Sequence, residues 1–336
     1  MFRFSGVAAT TKTKHCAVGR YNPEKGVPCI FCEAGKYSDT IGALSSTVCI
    51  NCQAGKYNPK TGAGTGLMCI DCPMGRHSGA VGATSSSVCD PCFAGKYSSS
   101  YGATNSSYCI SCGSGRYSGV LAGTDISVCV KCTAGQYSWI IGATKPTDCV
   151  NCKAGKYSTS SGASDAGVCI NCAAGKYSGA VAATGDYMCI NCDSGTYSGK
   201  LGAQNNSDCI SCESGKYSGT YGAASDAVCI SCVGGKYSSV GGATDVCVCL
   251  ECTAGKYSGV EGASDVSSCI SCTAGTYSDT MGATAVSVCK DCGAGKYSAS
   301  VGASNALMCI DCGAGKSSTT VGATNETLCI ACESGK

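Results

Sequence analysis

The sequence is poor in the residues that fill ordinary cores. Of its 336 residues, four are Phe and one is Trp. Large aliphatics are too sparse to fill one central core, so small units must be held covalently. No apolar run approaches the roughly eighteen residues a membrane span needs. Residues 1–14 lack the apolar stretch of a secretory signal. Either a signal has been removed or Met1 is not the true start. The two histidines are His15 and His77, so no histidine-based metal set forms. A formal net charge of +2 gives no nucleic-acid signal. There is no recurring acid pair, no Ser–His or Cys–His set, and no phosphate loop. Neither an enzyme nor a cofactor is expected.

What the chain has is 34 Cys and 48 Gly. Cysteine at about a tenth of the residues is the density of a disulfide scaffold, which persists in oxidising compartments. The expected location is therefore extracellular or at the cell surface. From Cys29 to Cys332 the pair C-x-x-C recurs at one fixed spacing, as at Cys29, Cys49 and Cys69, without a slip. Such a period marks a repeat array. Residues 1–15 read as a non-repeat lead-in and 16–31 as a shortened first repeat. Residues 32–331 read as fifteen tandem repeats, and 332–336 as the start of a further one. The chain reads as a window on a longer array.

Each column of the repeat has a physical reading. Gly35 and its equivalents follow a Cys by three residues, where a tight turn needs φ > 0. Gly42-Ala43 and equivalents make a second turn. Lys36-Tyr37-Ser38 is strand-compatible, and so is the segment before the second Cys, as at Val48, Val88, Val128 and Val168. The two are expected to pair as a small hairpin. No helical periodicity appears. The fold class is a small disulfide-rich repeat array, with 20-residue disulfide-closed loops and short β-hairpins stacked into an elongated rod or solenoid.

The spacing C-x2-C-x16-C-x2-C is also a zinc signal. Against zinc, nothing groups the pairs two by two, and Cys16 would be left over. Three disulfide schemes compete. Bonding within a pair orphans Cys16. Bonding like to like, as Cys32 to Cys52, imposes a doubled period that the sequence lacks. Bonding the second Cys of one pair to the first of the next gives Cys16–Cys29, Cys32–Cys49, Cys52–Cys69, Cys72–Cys89, Cys92–Cys109, Cys112–Cys129, Cys132–Cys149 and Cys152–Cys169. It continues with Cys172–Cys189, Cys192–Cys209, Cys212–Cys229, Cys232–Cys249, Cys252–Cys269, Cys272–Cys289, Cys292–Cys309 and Cys312–Cys329. This scheme is preferred, and it leaves Cys247 and Cys332 unpaired or intermolecular.

The run Cys-x-Ala-Gly-Lys-Tyr-Ser-x-x-x-Gly-Ala, followed by Cys-x-x-Cys, resembles the ephrin-receptor-like cysteine-rich repeat. It is also similar to the simplest loop module of tumour-necrosis-factor-receptor repeats, which opens Cys-x-x-Gly-x-Tyr. The resemblance covers residues 16–336. It implies disulfide-closed loops, a Tyr packed within or between modules, and modules stacked as an elongated rod. It implies no catalytic activity.

Once-per-unit stripes invite functional readings. The Tyr column (Tyr21, Tyr37, Tyr57, Tyr97, Tyr117) offers a glycan-binding stripe or, more simply, cover for the disulfide and the next loop. The Lys36, Lys56, Arg76, Lys96 column offers a polyanion site or a solvated face. Three sequons, at Asn105, Asn205 and Asn325, share one register, which predicts exposure and covalent glycans. The expected function is an extracellular, glycosylated structural array that self-associates, end to end or as a longer chain, into a fibril, stalk or surface coat. One alternative is an adhesion or receptor ectodomain presenting a ligand- or glycan-binding surface. Another is an ice- or surface-binding solenoid using Thr84, Thr104, Thr124 and Thr144. No nucleic-acid partner and no membrane span are expected.

Overall fold

The structure, a computed structural model, describes residues 15–333. The lead-in 1–14 and the last three residues of the chain lie outside the described residues. The repeat folds as expected into disulfide-closed loops with hairpins, and no α-helix occurs among the described residues. Every module carries a two-stranded antiparallel hairpin. In the module opening at Cys252, Lys256–Tyr257 pairs with Ile270–Ser271 in the register Lys256↔Ser271, Tyr257↔Ile270.

The hairpin partner differs from the sequence expectation. The second strand is not the segment before the second Cys but the dipeptide after it, inside C-x-x-C. The segment before the Cys is instead a single 3-10 turn, Ser46–Val48 in one module and Val266–Ser268 in another. In many modules the residue preceding the turn helps to fix it, although the turn also forms after Gly185 and Ala285, where no side chain caps it. Ser45, Asn105, Asp125 and Asp265 are extended and accept a hydrogen bond from the main-chain N–H two residues on. Short polar side chains of this kind compete with strand pairing.

The core is made of small residues. The first Cys of the loop, the Ala after the second Gly, and the Ser after Tyr are the buried columns, as at Cys52 (0% exposed), Ala63 (0%) and Ser38 (0%). Each Ser hydroxyl accepts from the N–H two residues later, as Ser258 does from Val260 at 3.3 Å. Its main chain joins the neighbouring modules. Ser258 N donates to Ala283 O at 2.9 Å, and Ser258 O accepts from Gly235 N at 2.7 Å. A parallel bridge joins Tyr257 to Ala283 of the next module, and Gly282 N returns a bond to Cys252 O at 2.8 Å.

Contact reaches one module further through the first glycine. Gly255 has φ +83°, and a Cβ there would sit 2.2 Å from the carbonyl oxygen of Gly302, two modules on. The same encounter repeats from Gly35, at 2.1 Å from Gly82 O, to Gly275, at 2.2 Å from Gly322 O. The receiving turn needs only a carbonyl. Gly75 meets Ala122 O, and Ala122 and Ala182 are tolerated with φ +55° and +58°.

The chain divides into two compact units. One comprises residues up to Asn151 with Ser160–Val168, and the other comprises Cys152–Thr159 with Cys169 onward. Within each, modules contact their neighbours as just described.

The packed columns can be tested by substitution. Gly255→Ala combines left-handed strain with a carbonyl collision, whereas Gly295, at φ +78°, has nothing within 4 Å of its Cβ position. Gly295→Ala should cost about 1–2 kcal/mol from backbone strain alone, and Gly255→Ala about 1–3 kcal/mol more. Local hydrogen exchange in each variant checks the difference. In the Ser column, Asn58 is 1% exposed and its Nδ2 finds no hydrogen-bond partner among the described residues. Its Oδ1 accepts from Lys60 N at 3.0 Å, the bond a Ser makes elsewhere. Asn58→Ser should therefore stabilise that module by about 1 kcal/mol, read as slower exchange at Tyr57 to Lys60.

Candidate functional surfaces

Each loop is closed by joining its two ends. Cys16 is bonded to Cys29 and Cys32 to Cys49, and the series runs to Cys312–Cys329, with Cα–Cα distances of 5.6–5.8 Å. Thirty-two sulfurs are thus disulfide-bonded and unavailable as thiolate ligands. Cys247 and Cys332 are free and exposed.

Most of the repeating polar and aromatic columns serve the array itself. Tyrosines of the repeat are half-buried. Tyr37 bridges Ala63 through its main chain, and its Cζ lies 3.1 Å from the position a Cβ would take at Gly66 of the next module. That is the packing role rather than an open aromatic stripe. The basic column is largely engaged. Lys56 pairs with Asp71 at 2.9 Å across its hairpin and Lys236 with Glu251 at 3.3 Å, while Lys36 pairs with Glu33 at 3.3 Å. Arg76 and Arg116 donate to the carbonyls of Cys89 and Cys129. Exposed pairs of this kind add little stability, but they reduce the charge available to a polyanion. Threonines of the proposed surface-binding column turn to their neighbours, as Thr104 accepts from Asn105 and Thr124 donates to Asp125.

The three sequon asparagines occupy one structural place. Asn105, Asn205 and Asn325 are exposed and precede the 3-10 turn. Each Oδ1 accepts from the N–H of the sequon Ser or Thr, at 2.9, 3.1 and 3.0 Å, and from its hydroxyl. The Nδ2, where a glycan would be attached, takes no part in that cap.

Two apolar features go beyond the sequence reading. The residue before the second Gly sits at an exposed turn tip and is often large and apolar, as Ile41 (72% exposed), Leu201 (64%) and Val301 (69%). At one module the tip is extended by Trp139 and Ile140, and Trp139 lies 5.8 Å from Tyr137, centroid to centroid. Its signal is the single Trp, standing where other modules carry polar or small residues such as Asp39, Ser99, Gly119 and Gly259.

Cys247 lies on the 3-10 turn Val246–Val248. Its main-chain N donates to Asp245 Oδ1 at 2.7 Å. Asp245 also accepts from the thiol, and with its charge this raises the thiol's pKa above the usual value. The reactive thiolate is correspondingly scarce at neutral pH.

The comparisons with known proteins agree with this architecture. Residues 44–89 match the family model described as tyrosine-protein kinase ephrin type A/B receptor-like. The matched segment holds two complete disulfide-closed loops, Cys52–Cys69 and Cys72–Cys89, and the same loop recurs along the chain. The resemblance read from the Cys-Gly-Tyr-Gly spacing is thus shown for this segment. No curated protein matches the sequence.

Cys247 offers a direct test of the local electrostatics. The thiol titrates higher because of Asp245, so its alkylation rate should rise at a higher pH than that of an ordinary thiol. Asp245→Asn keeps the cap acceptor and removes the charge. It should move the pH–rate profile for iodoacetamide downward and speed alkylation at neutral pH.

Proposed function

We propose that the protein is an extracellular structural repeat array, working as the shaft of a glycosylated fibril, stalk or surface coat rather than as a catalyst. The observation that carries this reading is the engagement of the repeating columns. Cys, Ser, Ala and both glycine turns are spent on closing a module or joining it to the next two. Disulfide-rich repeats resembling ephrin-receptor-like modules fit an extracellular structural element or receptor-like ectodomain, and the uniformity of the contacts favours the structural one. The oxidising environment that sixteen disulfides need supports the location. Among the described residues no helix is long and apolar enough to cross a membrane.

One observation favours a second reading. The Trp139-Ile140-Ile141 patch breaks the uniformity and is exposed. It is the sort of surface a receptor or adhesion ectodomain would present.

Native mass and electron microscopy distinguish the two. The structural reading expects filaments longer than one 336-residue chain can span, with glycan on Asn105, Asn205 and Asn325. A discrete particle of 33.4 kDa protein mass that binds a partner through Trp139 would refute it. Glycan is read separately, by mass shift of the three sequon peptides on treatment with an amidase that removes N-glycans.

A further inference from the structure

The disulfides do more than close loops, because they fix which residues carry tension. A pull along the chain enters a module at its first Cys. The shortest covalent path crosses the disulfide to the second Cys and leaves through C-x-x-C. In the module opening at Cys32 the crossing spans 5.6 Å between Cα atoms and bypasses a sequence separation of 17. Three residue steps from Cys49 to Cys52 add about 10 Å when taut. The oxidised path is therefore about 16 Å per module, against about 68 Å for the same stretch as an open chain. Tyr37, both glycine turns and the 3-10 turn all lie off the path.

We propose that the disulfide ladder makes the array a strap of nearly fixed length, whose hidden length is released only when a reductant opens a link. Losing the fold of an oxidised module lengthens the strap by at most the taut path of about 16 Å, whereas opening its link releases about 52 Å. This is a property of one chain, so it stands or falls separately from filament assembly. Many of the links are also shielded, since both cysteines are at most 7% exposed in Cys52–Cys69, Cys72–Cys89 and Cys172–Cys189. Cys52, Cys72 and Cys172 are 0% exposed, so a reductant reaches those sulfurs only after the module loosens. Tension loosens modules, and tension together with a dithiol therefore releases length that neither releases alone. The exchange is balanced. One thiolate of the dithiol attacks a cystine sulfur, the Cys–Cys bond breaks and a mixed disulfide forms. Its second thiolate displaces that sulfur, and the dithiol leaves as a cyclic disulfide. The two cysteines are left as thiols carrying the protons the dithiol gave up.

The test is single-molecule stretching of the full chain held by its two ends. In oxidising buffer, no lengthening step should exceed about 16 Å per module. With dithiothreitol and tension together, further steps of about 52 Å should appear, one per opened link, and a shorter step of about 38 Å for Cys16–Cys29. The double variant Cys252→Ser, Cys269→Ser should have a taut contour about 52 Å longer than the unmodified oxidised chain without reductant, and because contour length does not depend on folding, this holds even if that module misfolds. Steps of about 52 Å from the unmodified chain in oxidising buffer would overturn the proposal. So would reductant steps of another size, or reductant steps equally fast at negligible tension.

Discussion

A carbonyl oxygen filling the space of a missing Cβ is the contact on which this array depends. The first glycine of each loop has a left-handed φ, and at Gly35, Gly155, Gly275 and others its bare Cα faces the second turn of the module two places on. Any side chain there collides with backbone, which cannot swing aside as a side-chain tip can. The collision and the left-handed φ together account for Gly in this column, and at Gly295 and Gly315, where no carbonyl is near, the left-handed φ alone favours it. The second turn supplies only a carbonyl, which Ala also has, and there Ala122 and Ala182 occur. The two columns look alike in the sequence. Their different tolerance follows from which side of the contact each one forms.

That close approach sets the rest of the core. With backbones packed this tightly, the space left between modules admits a Ser, an Ala and a disulfide but no large side chain. The buried columns are accordingly small, and the large aliphatics lie outside, Ile41 and Leu67 among them. A core of this kind gains little from hydrophobic transfer. Order comes instead from main-chain hydrogen bonds between modules and from covalent closure, which lowers the entropy of the unfolded loop by about 3 kcal/mol each in the chain-entropy model. The Ser column shows the economy of the arrangement. One residue closes its own turn with its hydroxyl and joins the modules on either side with its N–H and C=O.

Much of this was legible in the sequence. The period, the loop closure, the hairpin, the left-handed glycines and the need for neighbours all followed from cysteine spacing and turn chemistry. The partner strand did not. Val48 and Val88 are β-branched and sit beside a Cys, so propensity placed them in the hairpin. That segment is instead a 3-10 turn, capped here by Ser45 or Ser85, and the pairing passes to the dipeptide after the Cys. Propensity describes a residue alone, whereas the turn belongs to a four-residue pattern, which closes even after Ala285, where no side chain caps it. The contact between Gly35 and Gly82 was also invisible. It joins residues two modules apart, and nothing local announces it. The exposed apolar tips are illegible for a different reason, since an apolar residue next to a glycine turn reads as core until its direction is known.

Conversely, the tight columns show where individuality in such an array must reside. A residue in the Gly, Ser or Ala column has to fit its own module and one or two others, so a change is felt at several contacts at once. Residues at the turn tip and before the 3-10 turn touch little beyond their own loop, and these are the segments that vary. Asp39-Thr40-Ile41 in one module corresponds to Trp139-Ile140-Ile141 in another and to Gly259-Val260-Glu261 in a third. Sequons fall in the second variable segment, at Asn105, Asn205 and Asn325, where Ser45 or Asp265 caps the turn equally well. Selection can therefore set charge, apolarity and modification module by module on these tips while the shared backbone contacts hold every module to one length. An insertion between the two glycines would shift the carbonyl away from the Cα it packs on. That constraint explains why fifteen full loops show no insertion although their tips differ freely.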